Sequence, residues 1–405
     1  MRISGGCKRL TAHVVIAGAG IGGLTAALAL ARHGVRVTLL ERAALLEDIG
    51  AGLQLPPNAS RILAQLGVLE VLRGAVTPQR LRILRGRDGA ALATMALGAA
   101  AERRWGAPML VAHRADLIRA LLEVLALTPG VVVRAGAMLT DFFETGSEIA
   151  ITAQHGGVEV RLSADALIGA DGLNSLLREH VQPDSKKLYS GRIAWRALVE
   201  ATHAPAFART LETSLWLGPK AHLVHYPLRG GALVNVVAIT SAAADLEAGD
   251  IWTQEGDAAV LAARIASWHA CARKLIAAAP AWRQWPLFDR APLQCWNRGR
   301  VAVLGDAAHP MLPFLAQGAA QAIEDAVVLA RFLAGAKNMQ EALADYGAAR
   351  RARAARVQAA SRRQGRIYHL SGPAALARDH VLGWLGPEKL AARNDWLYGY
   401  DARLC

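Results

Sequence analysis

Residues 13–41 read HVVIAGAGIGGLTAALALARHGVRVTLLE, and this stretch decides the fold. His13–Ala17 is a short apolar run of the kind that forms a buried strand. Leu24–Arg32 is rich in Ala and Leu and predicts a helix. Val35–Glu41 predicts a second strand, with Thr38 inside it. Strand, helix and strand within about 30 residues make a βαβ unit, whose strands are parallel. Gly18, Gly20 and Gly23 stand at GxGxxG spacing between the first strand and the helix. In such a loop the first glycine makes the turn and the second lets backbone approach a pyrophosphate. The third packs helix on strand, and the helix N-terminus faces the phosphates. Glu41 closes the second strand, where an acid binds ribose hydroxyls. A lone GxGxxG is a weak signal; with strand, helix and acid in place it predicts dinucleotide binding. The bland alternative is a Gly-rich turn followed by an exposed Glu.

The same stretch could be mistaken for a membrane span or signal peptide, because Val14–Ala31 carries no charge and follows Lys8 and Arg9. Gly18, Gly20, Gly22 and Gly23 would weaken a spanning helix, and the phosphate-loop reading explains them. Ala307–Ile323 is also uncharged, but it holds His309, Pro310, Pro313, Gln317 and Gln321. We therefore expect no transmembrane segment.

The chain has 405 residues, enough for two or three domains, and 53% are apolar, enough for a large core. The net charge is +13, and seven charges come from Arg350, Arg351, Arg353, Arg356, Arg362, Arg363 and Arg366. At helical pitch these spread around most of the helix and form no single stripe. We read them as a solvated helix in preference to a nucleic-acid or membrane surface. The surplus charge would also help draw in anionic substrates. Cys7, Cys271, Cys295 and Cys405 form no CxxC or metal-ligand spacing, so we expect no disulfide framework, no metal site and a reducing cytoplasm.

Further along, Ala115–Leu127 predicts a helix; Val131–Ala135, Ala164–Gly169 and Arg300–Leu304 predict short strands. A helix follows Gly318 to about Leu333. Ser214–Thr240 has three strand-like runs with turns at 218–220 and 229–231, a pattern of antiparallel sheet. Ala342–Arg366 predicts a helix, with Gly372-Pro373 as a breaker after it. The cofactor unit is thus interrupted by a second, sheet-based unit.

Two more segments carry chemistry. In residues 164–178, ADALIGADGLNSLLR, an apolar strand runs into Asp171-Gly172 before a helix opens; an ordinary Asp turn is the alternative. In residues 300–326, RVAVLGDAAHPMLPFLAQGAAQAIEDA, a buried strand delivers Gly305 and Asp306 at its C-terminal end, where open α/β sheets bind ligands. Gln317-Gly318 then opens a helix whose N-terminus favours negative charge. The alternative for Asp306 alone is a helix or turn cap.

In this order and spacing the three segments resemble the single-component FAD-dependent aromatic hydroxylases. The nearest subgroup is that of salicylate hydroxylase, 3-hydroxybenzoate 6-hydroxylase and 6-hydroxynicotinate 3-monooxygenase. GAGLQLPPNA at 50–59, HRADL at 113–117, GRIAWRAL at 191–198, HLVHYPL at 222–228 and WLYGYDA at 396–402 extend the resemblance over nearly the whole chain. It implies an α/β, three-layer FAD-binding Rossmann-like domain, interrupted by an antiparallel-sheet substrate domain and followed by C-terminal helices. The expected division is 11–75, 100–190 and 290–340 for the FAD domain, 76–99 and 191–289 for the substrate sheet, and 341–405 for the helices.

The resemblance also implies roles. Gly18, Gly20 and Gly23 would hold the FAD pyrophosphate and Glu41 the ribose; Arg114 would contact phosphate or nearby groups. Asp171 would serve both FAD and visiting NAD(P)H, and Asp306 the ribityl chain. Pro313, Gln317 and Gly318 would line the isoalloxazine between the domains. FAD would be non-covalent. NAD(P)H would reduce it, O2 would add to give a C4a-hydroperoxide, and the distal oxygen would pass to a phenolic or hydroxy-aromatic acid.

On the substrate side, His222, Val224 and Tyr226 share one face of a strand. The family sets a His and a Tyr at this spacing against the substrate, so His222 and Tyr226 are the catalytic candidates. Their separation of roughly 13 Å lets both touch one small ring only from opposite ends. His222 is the candidate base; the alternatives are that it packs while water, Tyr226 or His309 serves. His225 reads as structural. Pro313-Phe314 stands where some relatives place Gln or His, which removes a polar substrate contact. The rival readings are a membrane-associated hydroxylase of polyprenyl or lipid-like substrates, and a flavin-bound regulatory protein without turnover. A homodimer is compatible with either enzyme reading.

Overall fold

The computed structural model describes residues 12–45, 51–183, 186–242 and 254–404. Cys7, Lys8, Arg9, Gly50 and Cys405 lie outside them. The opening βαβ unit forms as its sequence requires. His13–Ala17 pairs in parallel with Arg36–Glu41, and the helix Ile21–Arg32 crosses between them. The strands are apolar nearly throughout because both faces of the sheet are covered, one by helices and the other by a three-stranded meander. Its six strands run Asn297–Arg298, Val301–Val303, Ala166–Gly169, His13–Ala17, Arg36–Glu41 and Val131–Ala135. Only the edge strand Asn297–Arg298 is antiparallel to its neighbour. The central strand therefore pairs with one segment about 150 residues later, Ala166–Gly169, which in turn pairs with Val301–Val303. A three-stranded meander, Ala137–Thr145, Glu148–His155 and Val158–Ala164, forms a second layer.

The third large element is an eight-stranded sheet. Its order is Gln254–Gly256, Trp282–Arg290, Lys187–Glu200, Leu233–Ser241, Ala221–Leu228, Glu212–Gly218, Arg80–Arg85 and Ala91–Ala96. The three runs expected between 214 and 240 are its centre, and Ala221–Leu228 pairs antiparallel on both sides. Arg80–Arg85 joins Glu212–Gly218 in parallel, so the sheet collects strands from two distant parts of the chain.

Gly318–Leu333 forms a 16-residue helix, and Met339–Tyr368 a 30-residue one. Residues 369–371 make the break that follows; Gly372 and Pro373 do not end a helix but open the next, Gly372–Ala392. Proline suits a first turn, where its missing N–H has no partner to lose. Val14–Ala31 is divided among strand, loop and helix, and no described helix is long and apolar enough to cross a membrane.

The arginine-rich helix differs from its sequence reading. Arg350 is fully buried, and its guanidinium meets Glu324 and Asp325 at 2.7 Å each. Arg353 reaches Glu324 at 3.0 Å and packs on the rings of Tyr400 and Trp396. Arg362 pairs with Asp289. These three are structural cations; a count of charges around a helix cannot reveal acids that arrive from another element.

Candidate functional site

Three segments meet at the C-terminal ends of the central strands. Gly18 has φ +105°, and a Cβ there would lie 2.4 Å from the Ala170 carbonyl oxygen. A Cβ on Gly23 would lie 1.9 Å from the Gly18 carbonyl oxygen. Both positions therefore exclude every side chain. Gly20 is different: a Cβ there would meet nothing within 4 Å. Its lack of a side chain keeps open space in front of the helix Ile21–Arg32, whose N-cap is Gly20 itself and has no side-chain cap. The first backbone N–H groups of such a helix have no intrahelical partner, and its positive end favours an anion. Glu41 accepts from the Ala19 and Ala43 N–H groups at 2.8 and 2.9 Å, which ties the loop to the second strand. Each carboxylate oxygen keeps a further lone pair for a diol.

Asp171 follows the strand Ala166–Gly169 and accepts the Leu176 N–H through Oδ2 at 3.0 Å; its Oδ1 is buried without a partner. Burial raises its pKa, against the pull of the Ser175 hydroxyl and nearby N–H groups. Asp306 sits in the turn Gly305–Ala307, with its carboxylate facing the start of the helix Gly318–Leu333. It is accessible within a cleft and makes no hydrogen bond to another described residue. Shielding by the surrounding protein raises its pKa, while His309 and Arg114 lower it. Arg114, the first residue of the helix Arg114–Ala126, is thus close enough to act on Asp306 electrostatically.

These features fit a flavin dinucleotide. They supply a cradle that a Cβ would fill at Gly18 and Gly23, open space at Gly20, an orphaned oxygen on Asp171 and an unpartnered carboxylate on Asp306.

The turn carrying Asp306 is held from beneath. Asp325 accepts the Gly305 N–H at 2.9 Å and meets His309 Nε2 at 2.5 Å. His309 is 1% exposed and packs on Trp296, so it is a support for the turn and does not reach the cleft surface. Glu324 binds Arg350, Arg353, Gln321 and Asn58. Gln317 turns its side-chain oxygen into the same cluster, accepting from Asn58 and Gln321, while its Nε2 is buried without a partner. Ala316, just before it, is left-handed at φ +52°, an unfavoured conformation for a residue with a Cβ.

Beside this cleft lies a cavity of about 900 Å³. Pro313 and Phe314 form one wall, Gln54 another, and His222 and Val224 of the strand Ala221–Leu228 a third. The helices after residue 339 close it, and Arg356, Arg363 and Arg393 add positive charge to its lining. His222 is 3% exposed and its pKa is driven well below the ordinary histidine value, first by burial and then by His369 and Arg192. Its ring packs against Phe314 and Tyr368 at 5.5 and 5.2 Å.

The strand brings His222 to this cavity but not Tyr226. Four residues on, Tyr226 is buried against Gly52, where an added Cβ would lie 2.8 Å from its ring. Burial raises its hydroxyl pKa. His225, on the opposite face, packs against Phe207 and is pushed down by burial to about 3.

Sequence reasoning missed His369, whose Nε2 lies 2.8 Å from His222 Nδ1, and Arg192, whose Nε lies 3.3 Å from His369 Nδ1. It also missed the Glu324, Asp325 and Arg350 cluster. Two adjacent acids in a mostly apolar helix were the available signal, since buried carboxylates demand cations.

A family model described as "FAD binding domain" matches residues 11–361. A 3-hydroxybenzoate 6-hydroxylase of Polaromonas naphthalenivorans is 37% identical over 97% of both chains. A 3-amino-4-hydroxybenzoate 2-monooxygenase of Streptomyces platensis is 39% identical over 96% of both. Among solved structures, Klebsiella pneumoniae HpxO complexed with FAD and uric acid superposes with a TM-score of 0.83, at 26% identity, over 96% of this chain and 97% of that one. With its glycine cradle, its unpartnered Asp306 and these full-length relatives, the chain belongs to the FAD-binding-domain family, among the single-component flavoprotein aromatic hydroxylases.

Proposed function

We propose that this protein is an FAD-dependent monooxygenase that uses NAD(P)H and O2 to hydroxylate a small phenolic or hydroxy-aromatic acid. The observation that carries the substrate class is the cavity beside the flavin cleft. It is mostly apolar, as a ring requires, and bordered by arginines, as an acid requires. The names of the two relatives, both enzymes of hydroxybenzoates, support the same class.

FAD supplies the oxygen-activating chemistry when bound. In this reading Gly18, Gly20 and Gly23 admit its pyrophosphate, Glu41 holds ribose hydroxyls, and Arg114 faces phosphate. Asp171 serves FAD and the visiting nicotinamide, and Asp306 accepts from the ribityl chain. Pro313, the Gln317 backbone and Gly318 border the ring system. The uncapped helix that begins at Gly318 places its positive end toward negative charge on that ring. His222 faces the substrate oxygen, and Tyr226 braces the wall behind it. The division into FAD domain, substrate sheet and C-terminal helices belongs to the same proposal; its support is the gathering of strands 80–96 and 187–290 into one sheet.

The test is to screen hydroxybenzoates and hydroxynicotinates for stimulation of NAD(P)H oxidation and to identify the product. A hydroxylated acid in near-equal yield to NAD(P)H consumed is expected. No stimulation by any of these acids would remove the substrate class. We place the enzyme in the cytoplasm, in keeping with free Cys271 and Cys295. A homodimer is supported by apolar side chains exposed on the helix Gly372–Ala392, Leu376, Val381 and Trp384. A monomer mass by light scattering would exclude it.

A further inference from the structure

A chain of three polar side chains leads to the cavity wall at His222, and its order has a direction. Arg192 comes from the strand Lys187–Glu200, His369 from the break after the helix Met339–Tyr368, and His222 from the strand Ala221–Leu228. Arg192 Nε lies 3.3 Å from His369 Nδ1, and His369 Nε2 lies 2.8 Å from His222 Nδ1. A guanidinium has only donors. His369 Nδ1 must therefore accept. A neutral imidazole carries one proton, so His369 bears it on Nε2 and donates to His222 Nδ1. His222 Nδ1 is then an acceptor, and its own proton stands on Nε2, the nitrogen left for the cavity.

We infer that Arg192 and His369 are positioning residues that hold His222 as a hydrogen-bond donor toward the substrate, not as the base expected from its sequence. The inference rests on the proposed placement of the substrate in this cavity. A phenol would lose its proton to water, and the resulting oxyanion would accept the His222 Nε2–H; His222 itself gains and loses no proton. Such a site selects the ionised form of its substrate.

Burial favours the neutral state this requires in both rings. Burial and the charges of Arg192 and Arg378 push His369 down to about 4. His222 is driven down as well, by burial and by the same side of the chain. The other groups packed on His222 are Phe314 and Tyr368, and Phe314 also carries the Arg192 guanidinium over its ring at 5.2 Å. Arg378 is itself bound to Asp379. Arg366 acts on Arg192 as a further cation.

The experiment is long-range proton–nitrogen NMR on FAD-loaded enzyme labelled with 15N-histidine, at neutral pH. His222→Gln and His369→Gln assign the two rings. Both are expected to be neutral with the proton on Nε2. A proton on Nδ1 of His222, or a doubly protonated His222, overturns the inference. A second arm measures hydroxylated product per NAD(P)H. Gln at 369 can accept from Arg192 and donate to His222, so His369→Gln should stay within about twofold of wild type. His369→Leu can do neither and should lose at least about tenfold, with FAD content unchanged and melting lowered slightly by the unpaired His222 Nδ1. Equal losses in Gln and Leu variants would make His369 a space-filling residue and sink the chain. Expected tautomers with coupling untouched by either variant would uphold the chain and remove the placement of the substrate against His222.

Discussion

Asp306 shows how a single residue can be tested without disturbing its surroundings. Its carboxylate binds no other described residue, so removing it leaves no protein donor stranded. Asp306→Ala should weaken FAD binding roughly 5- to 150-fold, the equivalent of about 1–3 kcal/mol. The melting temperature of the FAD-free protein should hardly move. Titration of apoprotein with FAD measures the first, and a thermal scan the second; unchanged FAD affinity would remove the assignment. Asp306 and the three glycines were legible in the sequence because each sits at a fixed offset from a buried strand within a few residues. His222, Arg192 and His369 are the opposite case. Arg192 and His369 are 177 positions apart, and no local pattern joins them. The direction of proton donation, which changes the role of His222, exists only once three elements have met.

At the scale of elements, the helices Gly318–Leu333 and Met339–Tyr368 are joined by buried charge. Arg350, Glu324 and Asp325 are all fully buried. Replacing Arg350 with Ala leaves two buried carboxylates short of their cation and should cost about 3–5 kcal/mol in denaturant unfolding. A loss below about 1 kcal/mol would show that the cluster is not the joint between the helices. Asp325 gives the pH dependence its sign. The burial that would raise its pKa is outweighed by His309, Arg350 and hydrogen bonds, which leave it depressed at about 2. A depressed carboxylate stabilises the fold above its unfolded pKa, near 3.9, and that contribution disappears as pH falls through about 2. Stability should therefore drop by on the order of 2 kcal/mol between pH 5 and pH 2 from this group alone. Arg350→Ala should flatten that part of the profile. Periodicity located both helices correctly, yet it cast Arg350 as solvated because the acids that bury it lie on the neighbouring helix.

For the molecule as a whole, no second GxGxxG occurs beyond Gly23, so the nicotinamide has no Rossmann unit of its own. Reduction of the flavin by NAD(P)H should accordingly be slow alone and faster with a suitable aromatic acid. Stopped-flow absorbance follows it directly. Equal and fast reduction with and without every acid tried would favour a plain dehydrogenase.

The eight-stranded sheet also has a history in time. Arg80–Arg85 and Ala91–Ala96 form a hairpin whose other strand partner among the described residues, Glu212–Gly218, lies well over a hundred residues downstream. A ribosome adding about 5–20 residues per second needs roughly 6–25 s to deliver it. A lone two-stranded hairpin is marginal in water. During that interval an unpaired strand edge is open to the wrong neighbour, including the same hairpin on another nascent chain. The nascent protein is thus exposed to aggregation through that interval, and slower translation would lengthen the hazard.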